Sequence, residues 1–186
     1  MPSTIWPMGA AWLCLHIWEH YCYTGDLAFL RQYYPIMEEA ASFFQDALLR
    51  YEDGSLHLSP TTSPENTFML PNGEHGSMCD DAAMDHQILF ELFTAVCESA
   101  KLLGLKEPVY AQLLCQLDPV RIDRDGLISE WIADDKKETE PGHRHISHLF
   151  GLYPGNTIRA DQPELMAAAR KTLEKRLANG GGHTGW

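Results

Sequence analysis

The chain has 186 residues, of which 45% are hydrophobic and 10% aromatic, enough to bury a core as about one domain. Its 26 acidic residues outnumber its 14 lysines and arginines, and the net charge of -12 disfavours nucleic acid and anionic membranes as partners. No apolar run reaches the roughly 18 to 20 residues of a membrane span, and no basic segment followed by an apolar one opens the chain. The composition therefore predicts a folded domain with neutral or cationic partners, no nucleic acid and no membrane.

The cysteines indicate a reduced protein. There are five, an odd number with no CxxC pair, and most lie in apolar helical stretches: Cys14, Cys22, Cys79, Cys97 and Cys115. We interpret them as reduced core residues rather than a disulfide framework. This usage favours a reducing, cytoplasmic compartment, but the sequence alone leaves the localisation unknown.

The first half of the chain predicts three helices. Residues 9–24 are apolar on several faces, which is typical of a helix buried inside a larger structure. After "TGD", apolar residues recur at intervals of three and four, which predicts an amphipathic helix running to Gly54 with a kink at Pro35. A third helix is predicted over 81–104.

The second half predicts two further helices. A short one covers 108–117, and a longer one begins at "DQPE" and ends at "NGGG". In "DQPE" we expect Asp161 to cap the helix, Pro163 to occupy its first turn and Glu164 to close a capping box.

Extended segments are scarce, and two connections are long. Only "SLHLS" and "GLISEW" have the pattern of strands, whereas segments 52–80 and 118–145 far exceed the usual connection of about 4 to 6 residues. Long loops in a compact domain are usually functional. The predicted class is all-α with short β excursions, and helix pairs that alternate short turns with long loops are typical of an α/α toroid.

The stretch "HIWEH" has the spacing of a zinc peptidase motif. On a helix, His16 and His20 share a face with Glu19, so two imidazoles could bind one metal while the carboxylate activates water. The third ligand would be Glu91 or Glu98 on another helix. The alternative is a polar stripe that lines a cavity, with its groups hydrogen-bonded to one another. We favour the second interpretation, and we predict no metal and no cofactor.

The stretch "HRHISH" places three imidazoles and a guanidinium within six residues: His143, Arg144, His145 and His148. An interleaved arginine repels a cation, so a metal site is disfavoured. Arginine and histidine supply several fixed donors, which suit the hydroxyls or the carboxylate of a ligand. A purely structural role in capping is the alternative.

The stretch "LSPTTSPENTF" holds Glu65 in a loop that two prolines stiffen, Pro60 and Pro64. A carboxyl held in a partly apolar pocket can act as a general acid near neutral pH. The alternative is an exposed loop glutamate without a role.

Two acidic stretches have simpler interpretations. Asp80, Asp81 and Asp85 lie at the start of the third predicted helix, where carboxylates interact favourably with the helix dipole, and this role suffices for Asp80 and Asp81. The stretch "IDRDG" resembles part of a calcium loop but lacks the remaining ligands, so we predict a turn.

Together these segments resemble glycoside hydrolase family 95, the inverting α-L-fucosidases. The resemblance rests on six segments that follow the family's order along the whole chain: "WPMGAAWLCLHIWEHYCYTGD", "LSPTTSPEN", "SMCDDAAMDHQI", "DGLISEW", "HRHISHLFGLYPG" and "GGGHTGW". It implies that residues 1–186 form part of an (α/α)6 catalytic domain, without the flanking β domains, and that the remainder of the parent polypeptide is a partner. The implied substrate is an oligosaccharide or glycan.

The resemblance also implies roles for particular residues. Glu65 in "SPEN" corresponds to the general acid, and Arg144 and His145 correspond to a sugar-binding pair. Trp18, Glu19, His20 and Trp131 are expected to line the pocket or support it. In the family, two asparagines of an N-x-N motif upstream of "WPMGAAW", supported by an aspartate, orient the water; this chain has no N-x-N, and we expect the aspartate beyond Trp186.

Other functions remain open at this point. An α-L-galactosidase or another (α/α)6 carbohydrate enzyme would use much of the same machinery. A zinc metallopeptidase and a non-catalytic carbohydrate-binding segment are further alternatives. Because the acid is present without the asparagine pair, we expect the isolated chain to hydrolyse no fucoside.

Overall fold

The computed structural model describes residues 6–106, 108–132 and 136–180 and is mainly helical. The helices are α1 (Gly9–Thr24), α2 (Leu27–Ala47), α3 (Ala83–Leu103), α4 (Tyr110–Leu114) and α5 (Pro163–Ala178). The strands have two residues each: β1 (Leu49–Arg50), β2 (Leu56–His57), β3 (Phe68–Met69), β4 (His75–Gly76) and β5 (Lys137–Glu138). One 3₁₀ turn covers Ser147–Leu149. This architecture confirms the predicted class and is consistent with part of an (α/α)6 domain.

The chain divides into two compact units. One comprises Met1–Trp6, Ser59–Gln87 and Pro119–Trp186, and the other comprises Pro7–Leu58 and Ile88–Asp118. We call them the loop unit and the helical unit. Across the described ranges, no helix combines the length and the apolar character needed to cross a membrane.

The helical unit is built on α1, α2 and most of α3. Asp26 begins α2 by accepting the N–H of Phe29 at 2.9 Å. The apolar stripe of α2 and the central turns of α3 form the core, with fully buried Leu30, Met37, Phe44, Ile88, Leu92, Phe93 and Val96. Helix α1 buries only Ala11 and Cys14 and leaves Leu13 67% exposed among the described residues. Within the described chain α1 packs against α2, and its burial inside a larger structure stays a prediction.

The end of α2 differs from the prediction. The helix ends at Ala47 rather than at Gly54, and strands β1 and β2 form an antiparallel hairpin. Asp53 accepts the N–H of Ser55 at 2.9 Å, and Gly54 has a φ of 87°, which a glycine adopts without steric cost. The "DGS" turn chemistry therefore overrides the helical periodicity. The strand predicted in "SLHLS" is confirmed as β2.

The loop unit has two apolar clusters. Ile128, Leu149 and Ile158 pack with the alanines of α5, whereas Phe68, Cys79, Ala82 and Trp131 pack beside a three-stranded antiparallel sheet of order β4-β3-β5. The sequence did not predict this sheet. The stretch "GLISEW", predicted as a strand, forms only the isolated bridges Ile122 to Ile128 and Ala82 to Trp131.

The start of α5 confirms one of three predictions. Pro163 occupies the first turn as expected. Gln162, not Asp161, is the N-cap, and no side chain caps the helix. Asp161 instead accepts a hydrogen bond from Nε of Arg159 at 3.1 Å. The capping-box prediction is wrong because a neighbouring guanidinium offers Asp161 a charged partner.

Candidate active site

Hydrogen bonds to other segments of the loop unit hold the loop that carries Glu65. The N–H of Thr61 donates to the carbonyl of Cys79 at 3.0 Å, and the N–H of Cys79 donates back at 2.9 Å. The hydroxyl of Thr61 donates to Asp85 at 2.7 Å. Closer to Glu65, the hydroxyl of Ser147 donates to the carbonyl of Pro64 at 2.5 Å. These tethers fix the backbone on which Glu65 sits.

Glu65 lies against Arg144 and His145. A carboxylate oxygen of Glu65 is in direct contact with Nη2 of Arg144, and Nε2 of His145 lies 3.9 Å from the same oxygen. The side chain of Glu65 remains 33% exposed, and those of Arg144 and His145 are 44% and 46% exposed. The structure thus brings together three predicted site residues from two distant segments and leaves them open to solvent.

The histidines of "HRHISH" divide between two roles. Partial burial and the neighbouring charges of Arg144 and His143 lower the pKa of His145, so its imidazole is neutral near pH 7 and can both donate and accept. His143 is 3% exposed, and its Nδ1 accepts the N–H of His145 at 3.1 Å. His148 is also 3% exposed. Arg144 and His145 can therefore contact a ligand, whereas His143 supports the backbone of the same loop and His148 is buried.

A buried carboxylate lies beneath the Glu65 loop. Glu130 is 8% exposed and accepts hydrogen bonds from Ser63 at 2.8 Å, Asn66 at 3.0 Å and Arg176 at 2.7 Å. Burial by itself raises the pKa of Glu130, but the facing His148 and Arg176 and the two loop hydrogen bonds bring that pKa below its ordinary value. Burial also lowers the pKa of His148, so its imidazole is neutral at pH 7. The positive charge that faces Glu130 is therefore that of Arg176. Glu130 is therefore ionised at neutral pH.

The whole chain, residues 1–186, matches the sequence model of the glycosyl hydrolase family 95 catalytic domain. The chain belongs to glycosyl hydrolase family 95. Alpha-L-fucosidase 2 of Arabidopsis thaliana is 44% identical over 186 residues, which cover 96% of this chain and 22% of that relative. Probable alpha-fucosidase A of Aspergillus niger is 30% identical over 194 residues, which cover 97% of this chain and 24% of that relative. The chain therefore spans between a fifth and a quarter of the length of these relatives.

The three aspartates of this family 95 chain have specific partners beyond the helix dipole. Asp80 accepts a hydrogen bond from Ser59, and Asp81 lies 2.8 Å from Nε2 of His86, with both side chains buried. Asp85 is fully buried, and burial raises its pKa to about 6 although Thr61 and Trp6 donate to it. The dipole interpretation thus understates their roles, because each carboxylate organises side chains around the start of α3.

The other predicted pocket residues lie in different surroundings. Trp131 is 6% exposed, stands edge-on to Phe68 at a ring separation of 5.4 Å, and borders a cavity of about 630 Å³ that Glu130 and Arg176 also line. Its Nε1 has no hydrogen-bond partner among the described residues. Trp18, Glu19 and His20 belong to α1 in the helical unit, and their role in the pocket stays a prediction.

The described residues contain no group of three or more His, Cys, Asp or Glu side chains placed to hold a metal ion. In "HIWEH", Nδ1 of His16 lies 3.4 Å from Glu19, and the ring of His20 contacts that of Phe29 at a centroid separation of 3.9 Å and a tilt of 34°. In "IDRDG", Asp123 accepts the N–H groups of Asp125 and Leu127 at 2.9 Å, which is a turn as predicted. None of the five cysteines, all of which lie in the described ranges, forms a disulfide.

Sequence reasoning missed Glu130, Ser63, Asn66 and Arg176 as a connected group. Glu130 lies in "GLISEW", which supports the family resemblance but was predicted only as a strand. Arg176 lies 46 positions away on α5, where a basic residue near the helix end is an ordinary feature. An acid flanked by apolar residues in "LISEW" was the one available signal of a buried charge.

Proposed function

We propose that the parent polypeptide, meaning the longer protein that contains this chain, hydrolyses terminal α-L-fucosides of oligosaccharides or glycans. The observation that carries the proposal is the direct contact of Glu65 with Arg144 beside His145 in a family 95 chain. The similarity to proteins named as α-fucosidases supports fucose as the sugar. We further propose an α-1,2 linkage, in line with the family resemblance.

We propose that Glu65 protonates the glycosidic oxygen while the bond from that oxygen to C1 breaks. A water molecule, oriented by the family's two asparagine amides, forms the new bond to C1 from the opposite ring face and gives up its proton to the family's aspartate carboxylate, so the anomeric configuration inverts. Arg144 and His145 hold the sugar hydroxyls, because both supply donors at the solvent-open end of the site. An aromatic or apolar wall should face the methyl group of fucose.

The decisive experiment compares Glu65→Gln with wild type in the parent polypeptide, with 2'-fucosyllactose as substrate. We expect kcat to fall at least about 100-fold while substrate binding persists, because general acids contribute roughly 10² to 10⁴ in rate. Glu74→Gln is the matched control, since Glu74 is an exposed loop glutamate that bonds only locally to Asn72 in the described structure. Full activity of Glu65→Gln would remove Glu65 from the acid role.

Two further measurements test the finer parts of the proposal. Proton NMR of the first-formed sugar should show β-L-fucose, and its α anomer would contradict inversion. Parallel assays with the nitrophenyl α-L-fucoside and α-L-galactoside distinguish the two sugars, which differ by one hydroxyl.

We also propose that the isolated 186-residue chain turns over no fucoside, because it holds the acid without an N-x-N motif. Measurable hydrolysis of 2'-fucosyllactose by that chain would contradict this.

A further inference from the structure

Glu130 is the one buried carboxylate, among the described residues, that hydrogen-bonds to the chain on both sides of Glu65. Its Oε1 accepts from the hydroxyl of Ser63 at 2.8 Å, and its Oε2 accepts from Nδ2 of Asn66 at 3.0 Å. Ser63 and Asn66 are each 1% exposed. Because the donors stand two positions before and one position after Glu65, their shared acceptor limits rotation of the backbone between them.

The carboxylate of Glu130 is itself held in place by Arg176. Arg176, 2% exposed, donates from Nη2 to Oε2 of Glu130 at 2.7 Å and from Nη1 to Glu138 at 2.5 Å. Nη1 also donates to the carbonyls of Glu140 and Pro141 at 3.1 and 3.2 Å. A guanidinium with this many fixed acceptors has little freedom, so it keeps the Glu130 carboxylate at one position.

The same loop is tied to the segment that carries the sugar-binding candidates. Ser147 lies three positions after Arg144, and its hydroxyl donates to the carbonyl of Pro64 at 2.5 Å. The backbone around Glu65 is therefore held by two contacts: Glu130 binds Ser63 and Asn66, and Ser147 binds the carbonyl of Pro64. Fixing an acid within a fraction of an ångström matters, because a displacement of about 1 Å can cost about 100-fold in rate.

We propose that Glu130 is a positioning residue, which holds the Glu65 loop through Ser63 and Asn66 so that the Glu65 carboxyl meets the glycosidic oxygen. This inference rests on the proposed function of Glu65. It goes further by assigning a defined task to a residue that touches neither Glu65 nor, in this proposal, the substrate. Its effect should fall on kcat rather than on KM, since the sugar contacts of Arg144 and His145 remain.

The test uses Glu130→Asp in the parent polypeptide with 2'-fucosyllactose. Aspartate keeps the negative charge, but its side chain is shorter by one methylene. The carboxylate can therefore no longer reach Ser63 and Asn66 at the same time while it pairs with Arg176. We expect kcat to fall roughly 10- to 100-fold, with KM within about threefold of wild type. Glu174→Asp is the matched control, because it makes the same one-methylene change at a carboxylate of α5 that pairs with Arg170 and lies outside the contacts of Arg176 with Glu130. It should retain kcat within about twofold.

Two more variants separate positioning from simple stabilisation. Glu130→Gln can keep both loop contacts, with its carbonyl at the Oε2 position and its amide donating to Ser63, and should restore most of kcat even if Tm falls. Ser63→Ala removes one tether and leaves the ion pair intact, and its effect on log kcat should be less than additive with Glu130→Asp. If the Glu130 variants fail to fold, Ser63→Ala decides, against Thr62→Val as control for loss of a hydroxyl in the same loop.

The outcomes distinguish this inference from the proposed function. Unchanged kcat in Glu130→Asp and Ser63→Ala, with Glu65→Gln inactive, would overturn the positioning role and leave the acid in place. An equal loss of kcat in Glu130→Asp and Glu174→Asp would also overturn it, because the loss would then not depend on the contacts between Glu130 and the loop. An active Glu65→Gln enzyme would contradict the proposed function itself.

Discussion

The guanidinium of Arg144 is in direct contact with the carboxylate of Glu65, and the imidazole of His145 lies 3.9 Å from the same oxygen. A guanidinium presents a planar fork of donors, which can serve a carboxylate and a sugar hydroxyl at the same time. The side chains of Arg144 and His145 are about half exposed, so a bound sugar can compete with Glu65 for their donors. The contact therefore links the proposed acid, Glu65, to the proposed sugar-binding pair.

We predict that Arg144→Lys in the parent polypeptide raises KM for 2'-fucosyllactose about tenfold, with a smaller effect on kcat. Lysine keeps the positive charge but replaces the planar fork with a single point donor, at a cost of about 1.4 kcal/mol in binding. Steady-state kinetics measures both constants. Arg170→Lys is the control, because Arg170 pairs with Glu174 on the exposed face of α5. Wild-type KM in Arg144→Lys would exclude Arg144 from sugar binding.

Asp85 should titrate near pH 6. Burial raises its pKa from 3.8 to about 6, against the hydrogen bonds from Thr61 and Trp6. The carbon-13 shift of its carboxyl should therefore change with a midpoint near pH 6, and Asp85→Asn identifies the resonance. A midpoint below pH 4 would contradict the buried environment.

The same shift has a definite sign for stability. Because the folded pKa lies above the unfolded one, the folded state binds the proton more tightly, and the contribution of Asp85 is greatest below about pH 4. It declines as the pH rises to about 6, and by pH 7 the loss relative to Asp85→Asn is about 3 kcal/mol. Unfolding free energies of the two proteins at pH 4 and pH 7 measure this difference.

The sequence predicted the solvent-exposed residues of the candidate site better than the buried residues that support them. Glu65, Arg144 and His145 lie in short segments whose order along the chain carries the family resemblance, and the structure brings them together. Glu130 and Arg176 form a buried pair 46 positions apart. No periodicity or local motif marks such a pair, because it depends on tertiary packing that a single sequence does not encode locally.

The fold shows the same limit at element boundaries. The position of α3 follows from hydrophobic periodicity, that of α1 from its apolar composition, and that of α5 from its start and stop signals. Gly25, at a φ of 67°, ends α1. The end of α2 was misplaced because the turn at Asp53 and Gly54 outweighs the periodicity that precedes it. Asp161 failed as a cap because it pairs with Arg159, an interaction that propensity rules do not include.

We predict that "HIWEH" binds no stoichiometric zinc. His16 and Glu19 are more than half exposed and contact each other, while the His20 ring lies tilted against the ring of Phe29. A catalytic zinc takes three protein ligands, and the third remains unassigned among the described residues. Elemental analysis of the purified parent polypeptide should find far less than one zinc per chain, and a chelator should not change its hydrolysis of 2'-fucosyllactose. Zinc at one equivalent that disappears in His16→Ala would overturn this interpretation.

Gly142 should not tolerate a side chain. A Cβ at this position would lie 2.0 Å from the carbonyl oxygen and 2.7 Å from the carbonyl carbon of Asn179, at the end of α5. Backbone atoms cannot turn aside as a flexible side chain can, so Gly142→Ala must shift either the helix end or the segment leading to Arg144. We expect a loss of about 1 to 3 kcal/mol in unfolding free energy, measured by denaturant titration, together with a higher KM. Gly9→Ala is the control, because nothing lies within 4 Å of the Cβ at the start of α1. Equal stability of the two variants would contradict the close approach of Gly142 to Asn179.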